Sequence, residues 1–170
     1  MILVSVGTTS PFNRLVRTLD FWAQIPHNRN VFAQIGIATY QPKNIEHIDF
    51  FASDIMRDEQ YQNASLLVCD LSIDVLLPAI ELELPVLALP RLSIFGEEIG
   101  IEQSTLAQNL KSDDFIQVAR DEYQLLELLH MPRMPFSNRT NNPARTPSIK
   151  LSERTKKFQN SFNQALRKAS

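Results

Sequence analysis

Along the first 130 residues, short continuous apolar runs alternate with stretches in which apolar positions recur at helical spacing. Residues 2–6 (Ile-Leu-Val-Ser-Val) read as a buried strand. Ser10 is placed to cap a following helix, with Pro11 at its first position, where a missing N–H costs nothing. Phe12, Leu15, Val16, Leu19, Trp22 and Ala23 then fall at i, i+3, i+4, i+7, i+10 and i+11, one face of an amphipathic helix ending near Pro26. Further strands are predicted over 31–35, 48–51, 66–69, 85–90 and 115–118. Helical stretches are predicted over 53–61, 72–84 and 101–110, and from a cap at Asp121 to about residue 129.

Six apolar strands alternating with amphipathic helices imply an α/β fold, a Rossmann-like parallel sheet with helices on both faces. In such a sheet ligands sit at the carboxyl ends of the strands, near the point where strand order reverses. Here those ends are Gly7, Thr8 and Thr9, residues 70–74, and residues 90–98. Residues 131–150 then read as a linker rich in Pro, Asn and Arg. Residues 151–170 read as a basic amphipathic helix whose stripe includes Phe158, Phe162, Ala165, Leu166 and Ala169. A lone helix of that length is marginal in water, so it must dock on something.

Charge sharpens that division. Residues 1–130 carry 8 Lys and Arg against 18 Asp and Glu; residues 131–170 carry 9 against the single Glu153. The basic helix is therefore either a strap on the acidic body or an interface with a partner. Glycine is scarce, 4 of 170 residues, which excludes a dinucleotide fingerprint and a P-loop. The single cysteine, Cys69, permits no internal disulfide and reads as a buried small hydrophobe. His27, His47 and His130 are scattered, so no metal site and no cofactor are expected. The start of the chain lacks a basic signal-peptide region, and no apolar run approaches ~18 residues. These features predict a cytoplasmic protein without a membrane span.

The stretch Val6-Gly7-Thr8-Thr9-Ser10-Pro11-Phe12-Asn13-Arg14-Leu15-Val16 resembles the opening of the family 28 glycosyltransferase C-terminal domain. It is most similar to the small branch of that family, the UDP-sugar-binding subunit of two-component UDP-GlcNAc and exopolysaccharide glycosyltransferases. Residues 31–36, residues 85–91, and Gly96-Glu97 with Gln103, Leu106 and Ala107 agree with it. The resemblance spans about residues 1–129 and implies the C-terminal half of a GT-B fold. It implies a donor site formed by Gly7, Thr8, Thr9, Ser72, Asp74, Arg91, Glu97 and Gln103. It also implies a membrane-associated partner subunit that brings a lipid-linked acceptor, held in part through Phe158, Phe162 and Leu166, and hence a place at the inner face of a membrane. No nucleic acid and no metal are implied, and no residue is assigned a catalytic role.

The chain departs from the family at one pocket. A Ser-His-Ala-Gly-type stretch is replaced by residues 69–74, Cys-Asp-Leu-Ser-Ile-Asp; the glutamate that holds the ribose falls at Pro78; the His before Gln103 is Glu102. A carboxylate facing a diphosphate in a partly desolvated site costs about 1–4 kcal/mol. Two functions therefore stand side by side: transfer of a sugar from a UDP-sugar to a lipid-linked acceptor in surface glycan synthesis, or a non-catalytic member that stabilises or regulates a partner. Asp70 and Asp74 themselves read as a helix cap and a solvated acid, or as a base or metal pair.

Overall fold

The computed structural model describes residues 1–28, 30–97, 103–109 and 116–130, together with 155, 156, 158–160, 162–164 and 167. The linker 131–150, Ile101, Glu102, Leu110 and Leu166 lie outside the described residues. Six strands form one wholly parallel sheet: β1 (Ile2–Ser5), β2 (Val31–Gln34), β3 (Glu46–Ile48), β4 (Leu66–Cys69), β5 (Val86–Ala88) and β6 (Ile116–Val118). Their order is β3-β2-β1-β4-β5-β6, the Rossmann order, with the reversal between β1 and β4. The helices are α1 (Asn13–Trp22), α2 (Asp54–Asn63), α3 (Ile73–Glu81), α4 (Gln103–Asn109) and α5 (Glu122–His130).

The continuous apolar character of the strands has a simple cause: both faces of the sheet are covered. Leu3, Leu67, Cys69, Val86 and Ala88 point into one core, with Tyr61 of α2 and Val75, Leu76 and Ala79 of α3. Val4, Ala33, Val68 and Leu87 point into the other, with Leu15, Val16 and Leu19 of α1 and Leu125 of α5. Cys69 is enclosed as expected, and burial pushes its thiol well up, leaving it a packing residue.

Three boundaries differ from the sequence pattern for identifiable reasons. Ser10 does not cap α1, whose N-cap is Phe12; the Ser10 hydroxyl instead donates to the Glu97 carbonyl and accepts from Arg91, so a tertiary bond displaces a local one. α1 ends at Trp22, with a short 3-10 turn, Pro26–Asn28, carrying the chain into β2. β3 lies two residues early because the pairing with β2 sets its register, Phe32 opposite Glu46. By contrast, the cap at Asp121, which accepts from the Gln124 N–H, forms as predicted; Ser53 likewise caps α2, accepting from the Met56 N–H.

Among the described residues of the C-terminal stripe, two pack on the body. Phe158 and Phe162, 6% and 4% exposed, are buried in the α2–α3 core of this same chain, their rings 5.7 Å apart. Lys156 and Arg167 stay exposed on its outer side. The two phenylalanines expected at a partner interface are therefore spent on the chain's own core.

Away from the carboxyl edge, Asp20 ties α1 to the segment before β3. One oxygen accepts from the Lys43 and Asn44 N–H groups at 2.9 and 2.6 Å, the other from the Tyr40 hydroxyl at 2.6 Å. Burial alone would raise the Asp20 pKa, but these bonds outweigh it and hold it below the ordinary carboxylate value. The folded-state pKa is depressed, so the contribution is present above the unfolded pKa and is lost as pH falls through the folded one. Asp20→Ala is expected to cost about 1.5–3 kcal/mol at neutral pH, the scale of a charged hydrogen-bonding group. Its deficit in urea unfolding should shrink below about pH 4.

Candidate functional site

The carboxyl edge at the reversal point is built from four segments: the turn after β1, the β4–α3 junction, the loop after β5, and the start of α4. The eight residues predicted for the donor site lie there or nearby. Thr8 and Thr9 are exposed at the tip of the β1 turn, and Asp74 is exposed in the first turn of α3. Gly7, Ser72, Arg91, Glu97 and Gln103 lie beneath them, and their polar groups turn inward.

Arg91 is the hub. It is 2% exposed, and its Nε donates to Asp70 Oδ2 at 2.5 Å. Nη1 donates to the Ser10 carbonyl and hydroxyl at 2.8 and 2.9 Å and to the Pro11 carbonyl at 3.1 Å; Nη2 donates to the Gly7 carbonyl at 3.0 Å. The guanidinium also lies 4.7 Å from the Phe12 ring centroid, a cation–π contact. A guanidinium has five N–H donors in a fixed fork, so little of this one is left for an external ligand.

Asp70 is fully buried and receives, besides Arg91, the Gly7 N–H at 3.2 Å on Oδ1 and the Ser72 hydroxyl at 2.7 Å on Oδ2. The expectation of a helix cap is thus replaced: α3 has Ser72 as its N-cap, without a side-chain cap bond. Gln103 joins the same cluster. Its Oε1 accepts from the Leu71 and Arg91 N–H groups at 3.0 and 3.1 Å, and its Nε2 lies 3.4 Å from Asp70 Oδ2.

The Glu97 carbonyl accepts from the Ser10 hydroxyl and from Arg91 Nη1, while its side chain binds Arg14. The Arg14 Nε and Nη2 donate to the two Glu97 oxygens at 2.9–3.2 Å, Nη2 also donates to the Pro90 carbonyl at 2.6 Å, and Nη1 reaches Glu122 at 3.1 Å. Arg14 sits 5.3 and 5.2 Å from the Phe12 and Phe95 rings. Burial lowers the Arg14 pKa, but the bonds and charges of Glu97 and Glu122 more than offset it, so the group stays firmly charged. The sequence reading missed Arg14 and the partnership of Asp70 with Arg91. An Asp and an Arg, each just past a predicted strand, were the available signal.

Space is as restricted as charge. A methyl group on Gly7 would lie 2.3 Å from the Ser72 hydroxyl and 3.1 Å from Asp70 Oδ2, so the turn after β1 and the start of α3 are in direct contact. At the reversal between β1 and β4 the inward-facing polar groups of this chain thereby bond one another. Among the described residues, no group of three or more His, Cys, Asp or Glu is placed to hold a metal, and no helix is long and apolar enough to cross a membrane.

No protein-family model matches the chain, and no curated protein matches it. Among solved structures it is similar to the crystal structure of the glycotransferase of kitacinnamycin, with 11% identity and a TM-score of 0.47 over 99% of this chain and 42% of that one. The chain thus spans less than half the length of that structure. Its fold class rests on its own strand order and layers: the chain is an α/β protein with a six-stranded parallel sheet of Rossmann order, flanked by helices.

Proposed function

We propose that this chain is the donor-side half of a two-component glycosyltransferase of GT-B type, taking a UDP-sugar at its carboxyl edge and passing the sugar to a lipid-linked acceptor brought by a membrane-associated partner. The observation that carries this reading is the placement of the Gly7-Thr8-Thr9 turn beside the Ser72–Asp74 start of α3, at the reversal between β1 and β4, where Rossmann sheets bind nucleotides. Thr8 and Thr9 offer hydroxyls at the surface, and the start of α3 favours negative charge. Ile37, Ile73 and Ile94, 45%, 38% and 83% exposed, lie past β2, β4 and β5 on the same edge, which suits a surface that a partner covers. In this arrangement Arg91, Glu97 and Gln103 shape the floor of the donor site from beneath.

A second reading, a non-catalytic partner subunit, is favoured by one specific observation: Arg91, Glu97 and Gln103 all spend their described polar bonds within the chain. Ligand-observed NMR with a panel of UDP-sugars, on the chain alone and with its co-purified partner, separates the two. The catalytic reading predicts saturable uridine signals in at least one of those states. Absence of binding in both leaves the scaffold reading. Binding of non-uridine nucleotides alone contradicts the UDP-sugar assignment.

A further inference from the structure

Four donors from four separate segments converge on one carboxylate at the reversal point. They are the Gly7 N–H after β1, the Ser72 hydroxyl at the start of α3, the Arg91 guanidinium after β5 and the Gln103 amide on α4. The carboxylate, Asp70, is fully buried. Backbone N–H, hydroxyl, guanidinium and amide groups turned toward one point are the chemistry of an anion seat. A side chain from the end of β4 fills this one. The filling is tight, since the Gly7 turn has no room even for a methyl group beside Ser72 and Asp70.

The geometry points to Asp70 as a built-in anion that occupies a phosphate or diphosphate seat, so that an incoming anion must compete with it for Arg91, Ser72 and the Gly7 N–H. Within this seat Arg91 is held in place independently of the carboxylate. Its Nη1 and Nη2 bond the Ser10, Pro11 and Gly7 carbonyls, and its plane rests on Phe12. The Gln103 Oε1 is likewise fixed by the Leu71 and Arg91 N–H groups. Removing the carboxylate therefore leaves preorganised donors with a net positive charge and nothing to bind, which is the state that favours uptake of an external anion. The inference rests on the proposed function only for the identity of that anion, a nucleoside diphosphate; the seat itself concerns any phosphate of that size.

The test compares the full chain with Asp70→Ala, using inorganic pyrophosphate and UDP as probes in thermal unfolding and calorimetry, against sodium chloride at matched ionic strength. Asp70→Ala is expected to bind pyrophosphate at least tenfold more tightly than the unmodified chain and to gain several degrees in Tm from it. Asp70→Ala/Arg91→Gln, which removes the cation as well, is expected to lose that gain. Where Asp70→Ala does not fold in plain buffer, pyrophosphate is expected to restore its refolding yield. An Asp70→Ala chain that gains neither affinity nor refolding from pyrophosphate overturns the proposal, as does a double variant that binds equally well. A response to pyrophosphate with none to UDP supports the anion seat while contradicting a uridine donor, so the two readings fail separately.

Discussion

Arg91→Met is expected to lower the unfolding free energy by about 3–5 kcal/mol, the usual cost of stranding a buried charge. The stranded group is Asp70, which has no exposed surface and would keep only the Gly7 N–H, the Ser72 hydroxyl and the Gln103 amide. The same substitution leaves the Ser10, Pro11 and Gly7 carbonyls without the donors that pin the β1 turn to the β5 loop. Since a domain of this size is stable by only about 5–15 kcal/mol, the loss is a large fraction of the whole. Asp70→Asn keeps the shape but removes the charge, so it should also destabilise, now by stranding Arg91. The pair acts as a unit: Arg91→Met/Asp70→Asn should be more stable than the sum of the single changes predicts, by over about 1 kcal/mol. Urea unfolding at constant m-value measures all three. Additive effects, or an Arg91→Met loss near zero, would mean that the ion pair does not hold the edge together.

Phe162→Asp carries the second large effect. Truncating a buried phenylalanine to Ala costs about 3–5 kcal/mol, and an aspartate adds the cost of burying an unpaired carboxylate. The ring contacts Phe158 and lies in the core made by Tyr61, Val75, Leu76, Ala79 and Leu106. Destabilisation of the isolated chain, with the C-terminal helix released to limited proteolysis, is the expected result; Phe158→Asp should behave alike. A helix whose stripe served only a partner would give the opposite pattern, an unchanged isolated chain that fails to assemble. The basic outer side, with Lys156 and Arg167, remains exposed for contacts beyond the chain.

These two cases also show where the sequence was legible. The alternation of buried strands and amphipathic helices follows from local spacing, and β4 appears with the boundaries its apolar run implied. The strap was visible as the stripe of Phe158 and Phe162, but its docking surface was not, because nothing local records which distant face lacks a cover. The candidate site was legible in place and not in disposition. Gly7, Ser72, Arg91 and Gln103 do meet at the carboxyl edge, yet they meet one another. Sequence spacing shows that a side chain reaches the edge; whether it points out or in depends on a partner supplied by another segment. For Arg91 that partner is Asp70, for Glu97 it is Arg14, and neither pairing has a local signature.

The edge formed by the β1 turn and the start of α3 is proposed to bind a sugar nucleotide. Titrating the isotopically labelled full chain, with its partner if one co-purifies, against UDP-sugars while following backbone amide resonances tests that claim most directly. Saturable shifts concentrated at Thr8, Thr9, Ser72, Ile73 and Asp74 are the predicted result. Resonances that stay in place at saturating UDP-sugar, or that move only away from this edge, would contradict it.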